Sequence, residues 1–445
     1  MKAESLKEKL LKGSIWVFAG KFVTGIAQIL IAMLLARMLT TEDFGAFQVL
    51  QRLLILLALV GSFSMGWLAV RRMAESLDDA SKESGLLQAK SIFFIVAVVS
   101  TLFSVVLFFA GDGLVASAFQ INIQPYIYIL SGLVILVSFQ QVIPETFRGL
   151  HDLKLASVFS GAATNTLMLL SFAILLLFGI GMNVSSVLLT YLLCSLLVLG
   201  CSGSMLVRRL STAFHTVESN DLSSRDRFMG NIKIGFPLTV SGIISFVVQQ
   251  ADVWIVAAFF GIEQAAYYGA ASRLIFLIAA PVMVANGATR GMIAKLWVSG
   301  EKERLEKLMR TVATLTFLAA ILPALVFLFW SEPIMVTLFG GEYQQGAIVL
   351  VVLVFGQLAL LASGPAGTLM VLAGYQNISL LLDLFGAGVF LLLAWVLGVN
   401  FGMSGIAGAS SIALALRAMM AMLFVQYKLD IRTFLGRPSF SRLMK

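Results

Sequence analysis

The sequence predicts an all-α integral membrane protein: twelve transmembrane helices in two pseudo-symmetric six-helix bundles, with a central cavity and both termini cytoplasmic. Three observations predict it. Of 445 residues, 59% are hydrophobic and 12% charged, with mean hydropathy +0.96; a soluble chain carries roughly 25% charged residues to wet its surface. Twelve apolar stretches reach near-spanning length. Basic residues collect in every second interval between those stretches, as cytoplasmic loops require.

The stretches run at 13–36, 44–68, 87–110, 123–143, 155–178 and 185–207. After a polar interval they resume at 233–258, 265–287, 311–330, 346–372, 376–398 and 403–427. The first follows a basic segment, but it is long and lacks a small-residue cleavage site, so it reads as a retained helix. Pro237, Pro281, Pro323 and Pro365 fall within spans and predict kinks. Segment 301–310, EKERLEKLMR, is charged and amphipathic, and is expected at the cytoplasmic interface.

Charge placement sets the orientation. With the N-terminus inside, 26 of the 31 basic residues fall in inward intervals. They cluster before the first span, around Arg71–Lys90, at Arg148 and Lys154, over Arg208–Lys233, over Arg290–Arg310, and in the tail from Lys428. Outward loops near Asp112, Gly181, Glu263, Glu342 and Asn400 hold none, apart from Arg37 at a helix end. The net charge of +8 is therefore mostly topology and contact with anionic lipids, and no nucleic-acid partner is expected. The predicted location is the bacterial inner membrane.

The two halves repeat. Shifted by 221 residues, Gln28–Gly66 falls on Gln249–Gly287 without a gap, and eight of 39 positions are identical. These include Gln28/Gln249, Glu42/Glu263, Arg52/Arg273 and Gly66/Gly287. Apolar bias matches leucines and alanines; it does not align a loop glutamate with two intramembrane polar residues. A six-span repeat is even, so both copies enter the membrane in one orientation and a cavity is expected between them. The domains predicted are 1–210, a linker at 211–232, and 233–445.

Five basic residues stay unexplained by topology: Lys21, Arg37, Arg52, Arg273 and Arg417. Arg37 snorkels to the interface. The other four lie inside spans, where each costs about 2.5–3.5 kcal/mol facing lipid. They are expected to face a wet cavity as substrate-binding cations, supported by Gln28, Gln48 and Gln249. Asp252 lies at the depth of Arg273, and Asp383 at that of Arg417. Each acid is a candidate for a structural ion pair or for Na+ or H+ coupling. Lys21 and Arg52 have no intramembrane acid in their half, which points to an anionic ligand, and a pyrophosphate suits guanidinium geometry. No catalytic group, cofactor or metal constellation is expected: His151 and His215 are far apart, and Cys194 and Cys201, seven residues apart, read as small packing residues.

The residues also carry a family resemblance. GSIWVFAGKFVTGIAQILIAMLLARMLTTEDFGAFQVLQ (13–51) resembles the start of bacterial Wzx-type polysaccharide flippases, members of the superfamily that holds MATE drug exporters and the lipid II flippase. Leu34–Phe47 is its most specific part. ADVWIVAAFFGIEQAAYYGAASRL (251–274), LAGYQN (372–377) and FGMSGIAGAS (401–410) are similar to later parts of the pattern. The resemblance implies a MATE-like fold and a translocase. Its substrate would be undecaprenyl-pyrophosphate-linked glycan, carried from the cytoplasmic to the periplasmic leaflet by alternating access for cell-surface polysaccharide synthesis. Other polysaccharide-assembly proteins are implied as partners. Lys21, Arg52 and Arg273 match cationic cavity positions of similar flippases, and Asp252 matches their seventh-span acid. Lys21 departs from the pattern, standing where some relatives carry Arg.

The alternative is a cation-coupled multidrug antiporter on the same fold, which a net positive cavity argues against. A membrane-embedded polymerase would need a charged catalytic outward loop, and the interval 331–345 offers only Glu332 and Glu342.

Overall fold

A computed structural model describes residues 6–78, 85–214 and 224–436. Most of the expected linker (215–223, with His215) and the tail from Arg437 onward, with Arg442 and Lys445, lie outside the described residues. The described residues are helical, and 11 helices are long and apolar enough to cross a membrane. They divide into two compact units, Met1–Val247 and Val248–Lys445.

Unit 1 opens with α1 (Leu6–Met38) and α2 (Thr41–Ser62). The sequence TTED starts α2: Thr40 Oγ1 accepts from the Asp43 N–H at 3.1 Å, and Glu42 and Asp43 sit at the positive end of the helix dipole. The apolar run expected to continue to 68 breaks at Phe63 and Ser64, both left-handed (φ 48° and 50°). Hydropathy does not register the break, because its residues are themselves apolar or small. A short helix, α3 (Met65–Asp78), follows and buries Met65, Leu68, Ala69 and Met73. At its far end the Arg71 guanidinium, hydrogen-bonded to Glu75 at 2.6 Å, holds that carboxyl below its ordinary range.

Next come α4 (Gly85–Phe119), α5 (Ile127–Gly149), α6 (Leu153–Ser157), α7 (Ala163–Leu177), α8 (Val184–Ala213) and the first half of α9 (Ser224–Phe260). Small polar residues bring α2, α4 and α5 together. Ser138 Oγ donates to Val134 O at 2.6 Å and approaches Ala58 O at 3.3 Å, while Ser104 Oγ donates to Ser131 O at 2.9 Å. Such bonds replace the hydrophobic drive that lipid does not supply between helices. Cys194 is buried beside Ser171, whereas Cys201 is exposed and does not pack; both thiols are free.

Unit 2 contains the rest of α9, then α10 (Ile262–Val298), α11 (Lys302–Phe339), α12 (Gly346–Ser363), α13 (Ala366–Leu372) and α14 (Gln376–Phe424). Ile262 begins α10 just 221 residues after Thr41 begins α2, so the sequence repeat is also a repeat of helix boundaries. Segment 301–310 is no separate interfacial helix: it forms the first turns of α11, with Leu305, Leu308 and Met309 in the core. Pro237 and Pro281 sit inside α9 and α10, whereas α11, which holds Pro323 and Pro333, is kinked at Trp330 (φ −125°, ψ 27°). By contrast, Gly364 and Pro365 divide the expected span 346–372 into α12 and α13.

Two features organise unit 2. At about 1.5 Å per residue the 49-residue α14 would be far longer than a bilayer of about 30 Å. It instead folds back at Gly402 (φ 61°, ψ −142°), a conformation open to glycine, and Gly398 comes to rest beside Ile406. After α14 the chain turns at Asp430 and runs back as an extended strap, 431–436. Ile431 and Thr433 are 0% exposed. Thr433 Oγ1 donates to Ser363 O (2.8 Å), Thr314 Oγ1 to Gly436 O (2.7 Å), and the Arg432 N–H to Glu306 (3.2 Å). Arg310 lies over the Phe434 ring at 5.7 Å. The strap thereby ties α11, α12 and α14 at one end. Gly364 is where it passes: a Cβ there would overlap the Thr433 carbonyl.

Candidate functional site

Within unit 1 the predicted residues lie on α1 and α2. Arg52 is 5% exposed and Gln48 1%. One helical turn apart, they meet: Arg52 Nη1 donates to Gln48 Oε1 at 3.3 Å and approaches the Gln48 carbonyl at 3.5 Å. Burial of a guanidinium at this depth requires polar company, and Gln48 supplies part of it. Lys21 is exposed and forms no ion pair among the described residues, while Gln28, two turns on, is half-buried.

In unit 2, Asp383 and Arg417 are ion-paired, Nε to Oδ1, across the hairpin that Gly402 creates. Gly386 lies beside the Arg417 stem, and nearer the turn the arms approach most tightly at Gly405, where a Cβ would overlap the Leu397 carbonyl. Asp252 and Arg273 behave differently. Both are half-buried, but no ion pair joins them among the described residues; Asp252 Oδ1 accepts from the Val253 N–H at 2.8 Å. Equal depth fixes height along the membrane but not azimuth around each helix, so matching heights did not place these two groups together. Gln249 is exposed.

One feature escaped the sequence reading. The fifth span is broken by a π-turn at Val158–Ala162, where Gly161 has φ 111°. Asn165 Nδ2 donates to the freed Gly161 carbonyl at 2.8 Å, and Ser160 Oγ to Ser157 O at 3.1 Å. Residues of α1 follow this break turn by turn: Trp16 under Lys154 Nζ (5.2 Å), Gly20 against Ser157, Thr24 against Gly161. Lys21 therefore sits on a helix seated along an interrupted one, and irregular backbone at membrane depth is tolerated where side chains re-satisfy it. The Ser160–Gly161 dipeptide was the available signal. A carboxylate, Glu145, pairs with Arg148 at the end of α5, and no group of three metal-ligating residues occurs among the described residues.

Comparison with known proteins extends this picture. Residues 10–297 match the family described as polysaccharide biosynthesis protein, and residues 237–396 match the MatE family. The capsular polysaccharide biosynthesis protein CapF of Staphylococcus aureus is 21% identical over 403 residues, covering 89% of this chain and 94% of its own. Among solved structures, the lipid II flippase MurJ in an inward closed conformation aligns with a TM-score of 0.72 at 14% identity, covering 94% of this chain and 88% of that one. An inward-facing multidrug resistance MATE transporter of the MOP superfamily aligns at 0.70, also at 14% identity, over 92% and 94%. These likenesses establish a MATE-like, multi-span helical fold. The chain belongs to the polysaccharide biosynthesis protein family.

Proposed function

We propose that this alternating-access transporter flips a polyprenyl-pyrophosphate-linked glycan from the cytoplasmic to the periplasmic leaflet. Twelve spans follow if the two arms of α14 count separately, and the positive-inside distribution then puts both termini in the cytoplasm. The observation that carries the cargo reading is the buried Arg52–Gln48 pair in a membrane span of a chain from a polysaccharide biosynthesis family. A buried guanidinium is retained at this cost where an anion must be handled, and its planar fork suits phosphate oxygens. Lys21, Arg273 and Arg417 are the further cations assigned to cargo, with Arg417 already engaged by Asp383. Anionic lipids and other glycan-assembly proteins are the proposed partners, and Na+ or H+ the proposed coupling ion.

A second reading, a cation-coupled multidrug antiporter, has broader support from fold comparison. The MatE match covers 237–396, and multidrug MATE transporters align at TM-scores of 0.70 and 0.68. Lipid II flippase aligns equally well, so fold likeness is common to both cargoes. Depletion in the native host separates them. The flippase reading expects lipid-linked glycan to accumulate on the cytoplasmic leaflet with drug susceptibility unchanged. Heightened susceptibility to cationic drugs with normal surface glycan would instead favour the antiporter.

A further inference from the structure

By the 221-residue register α9 is the counterpart of α1, yet its first half, up to Val247, belongs to unit 1. One face of that half is docked at every turn. The Phe228 ring lies tilted against Phe94 (6.0 Å between centroids), and Phe228 and Ile232 cover the cluster that includes Met65, Leu68 and Ile92. Asn231 Nδ2 donates to Ser91 Oγ at 3.2 Å, and Thr239 Oγ1 meets Ser64 Oγ at 3.2 Å. At Gly235 a Cβ would fall 2.5 Å from Met65 Cε and 3.0 Å from Phe63 O, and Gly242 lies against Leu59. Spacings of three and four residues make this a single helical stripe.

The seam is strained and incompletely satisfied. Phe63 and Ser64 are consecutive non-glycine residues in the left-handed region. Asn231 Oδ1 is a buried acceptor without a donor among the described residues. Water entering a parted seam would satisfy this oxygen and lower the cost of opening. The two direct hydrogen bonds named across this face join side chain to side chain.

We propose that the first half of α9 is a releasable cytoplasmic gate, closed here over the α2–α3 break and parted when the transporter opens inward. The Gly235 notch and the Thr239–Ser64 contact form its latch. This inference rests on the alternating-access reading and on the orientation proposed above.

The test uses the full chain with Cys194→Ala and Cys201→Ala in inside-out vesicles. A Ser64→Cys/Thr239→Cys pair, oxidised to a disulfide, should abolish glycan transport, and reductant should restore it. Separately, Leu59→Cys, one turn deeper than the latch, should react slowly with an impermeant thiol reagent applied from the cytoplasmic side. Adding Gly235→Ala or Thr239→Val should raise that rate severalfold with protein level unchanged. Unaltered transport by the cross-linked protein, or an unaltered labelling rate in both latch variants, would overturn the gate. Accelerated labelling in a protein that moves no glycan would support the gate and refute the cargo instead.

Discussion

At the scale of single residues, the flippase proposal rests most on Arg52, a guanidinium only 5% exposed inside an apolar helix. Arg52→Ala is expected to abolish transport while the protein still inserts and accumulates. Arg52→Lys keeps the charge but loses the planar fork, and is expected to retain a reduced rate, about tenfold lower. Both are read by transport rate normalised to membrane-inserted protein. The acids divide by environment. Asp383 is tied to Arg417 across a hairpin, so the charge swap that combines Asp383→Arg with Arg417→Asp should restore the accumulation that either single change reduces. Asp252 has no such tie to Arg273, and the corresponding swap there should leave transport lost. Blue-native migration and transport rate distinguish the two cases. Residue types and depths were legible in the sequence, since an Arg in an apolar run stands out. Azimuth was not, which is why Asp383 met the partner at its depth and Asp252 did not.

At the scale of elements, apolar runs located the spans well and their interruptions poorly. Hydropathy averaged over a window passes through Phe63–Ser64, through the π-turn at 158–162 and through Gly402, because none of these breaks adds charge. The strap was also invisible. It is short, lacks periodicity, and owes its place to long-range bonds with Thr314, Ser363 and Glu306. Its contribution can be weighed by a matched pair of substitutions. Gly364→Ala forces a Cβ onto the Thr433 carbonyl and should cost about 1–3 kcal/mol, lowering the detergent melting temperature. Gly374→Ala, also at positive φ (88°) but with open space around its Cβ position, adds the same backbone strain without the clash and should lower melting less. Equal effects from the two would mean that the strap does not hold α12 in place.

On the scale of the whole molecule, composition and charge bias made the membrane class legible, and the 221-residue repeat anticipated the recurrence of helix starts at Thr41 and Ile262. Orientation is open to a direct check. A fluorescent protein fused after Lys445 should mature, and alkaline phosphatase at the same place should stay inactive; the reverse would invert the topology. Cargo is a different matter, since one architecture serves flippases and drug exporters alike and specificity lies in cavity side chains. The decisive measurement is made on purified protein in proteoliposomes carrying a polyprenyl-pyrophosphate oligosaccharide, with a cationic dye assayed in parallel. The account predicts that wild type moves the lipid-linked glycan between leaflets, that Arg52→Ala does not, and that neither moves the dye. Gradient-driven dye transport without glycan movement would contradict it.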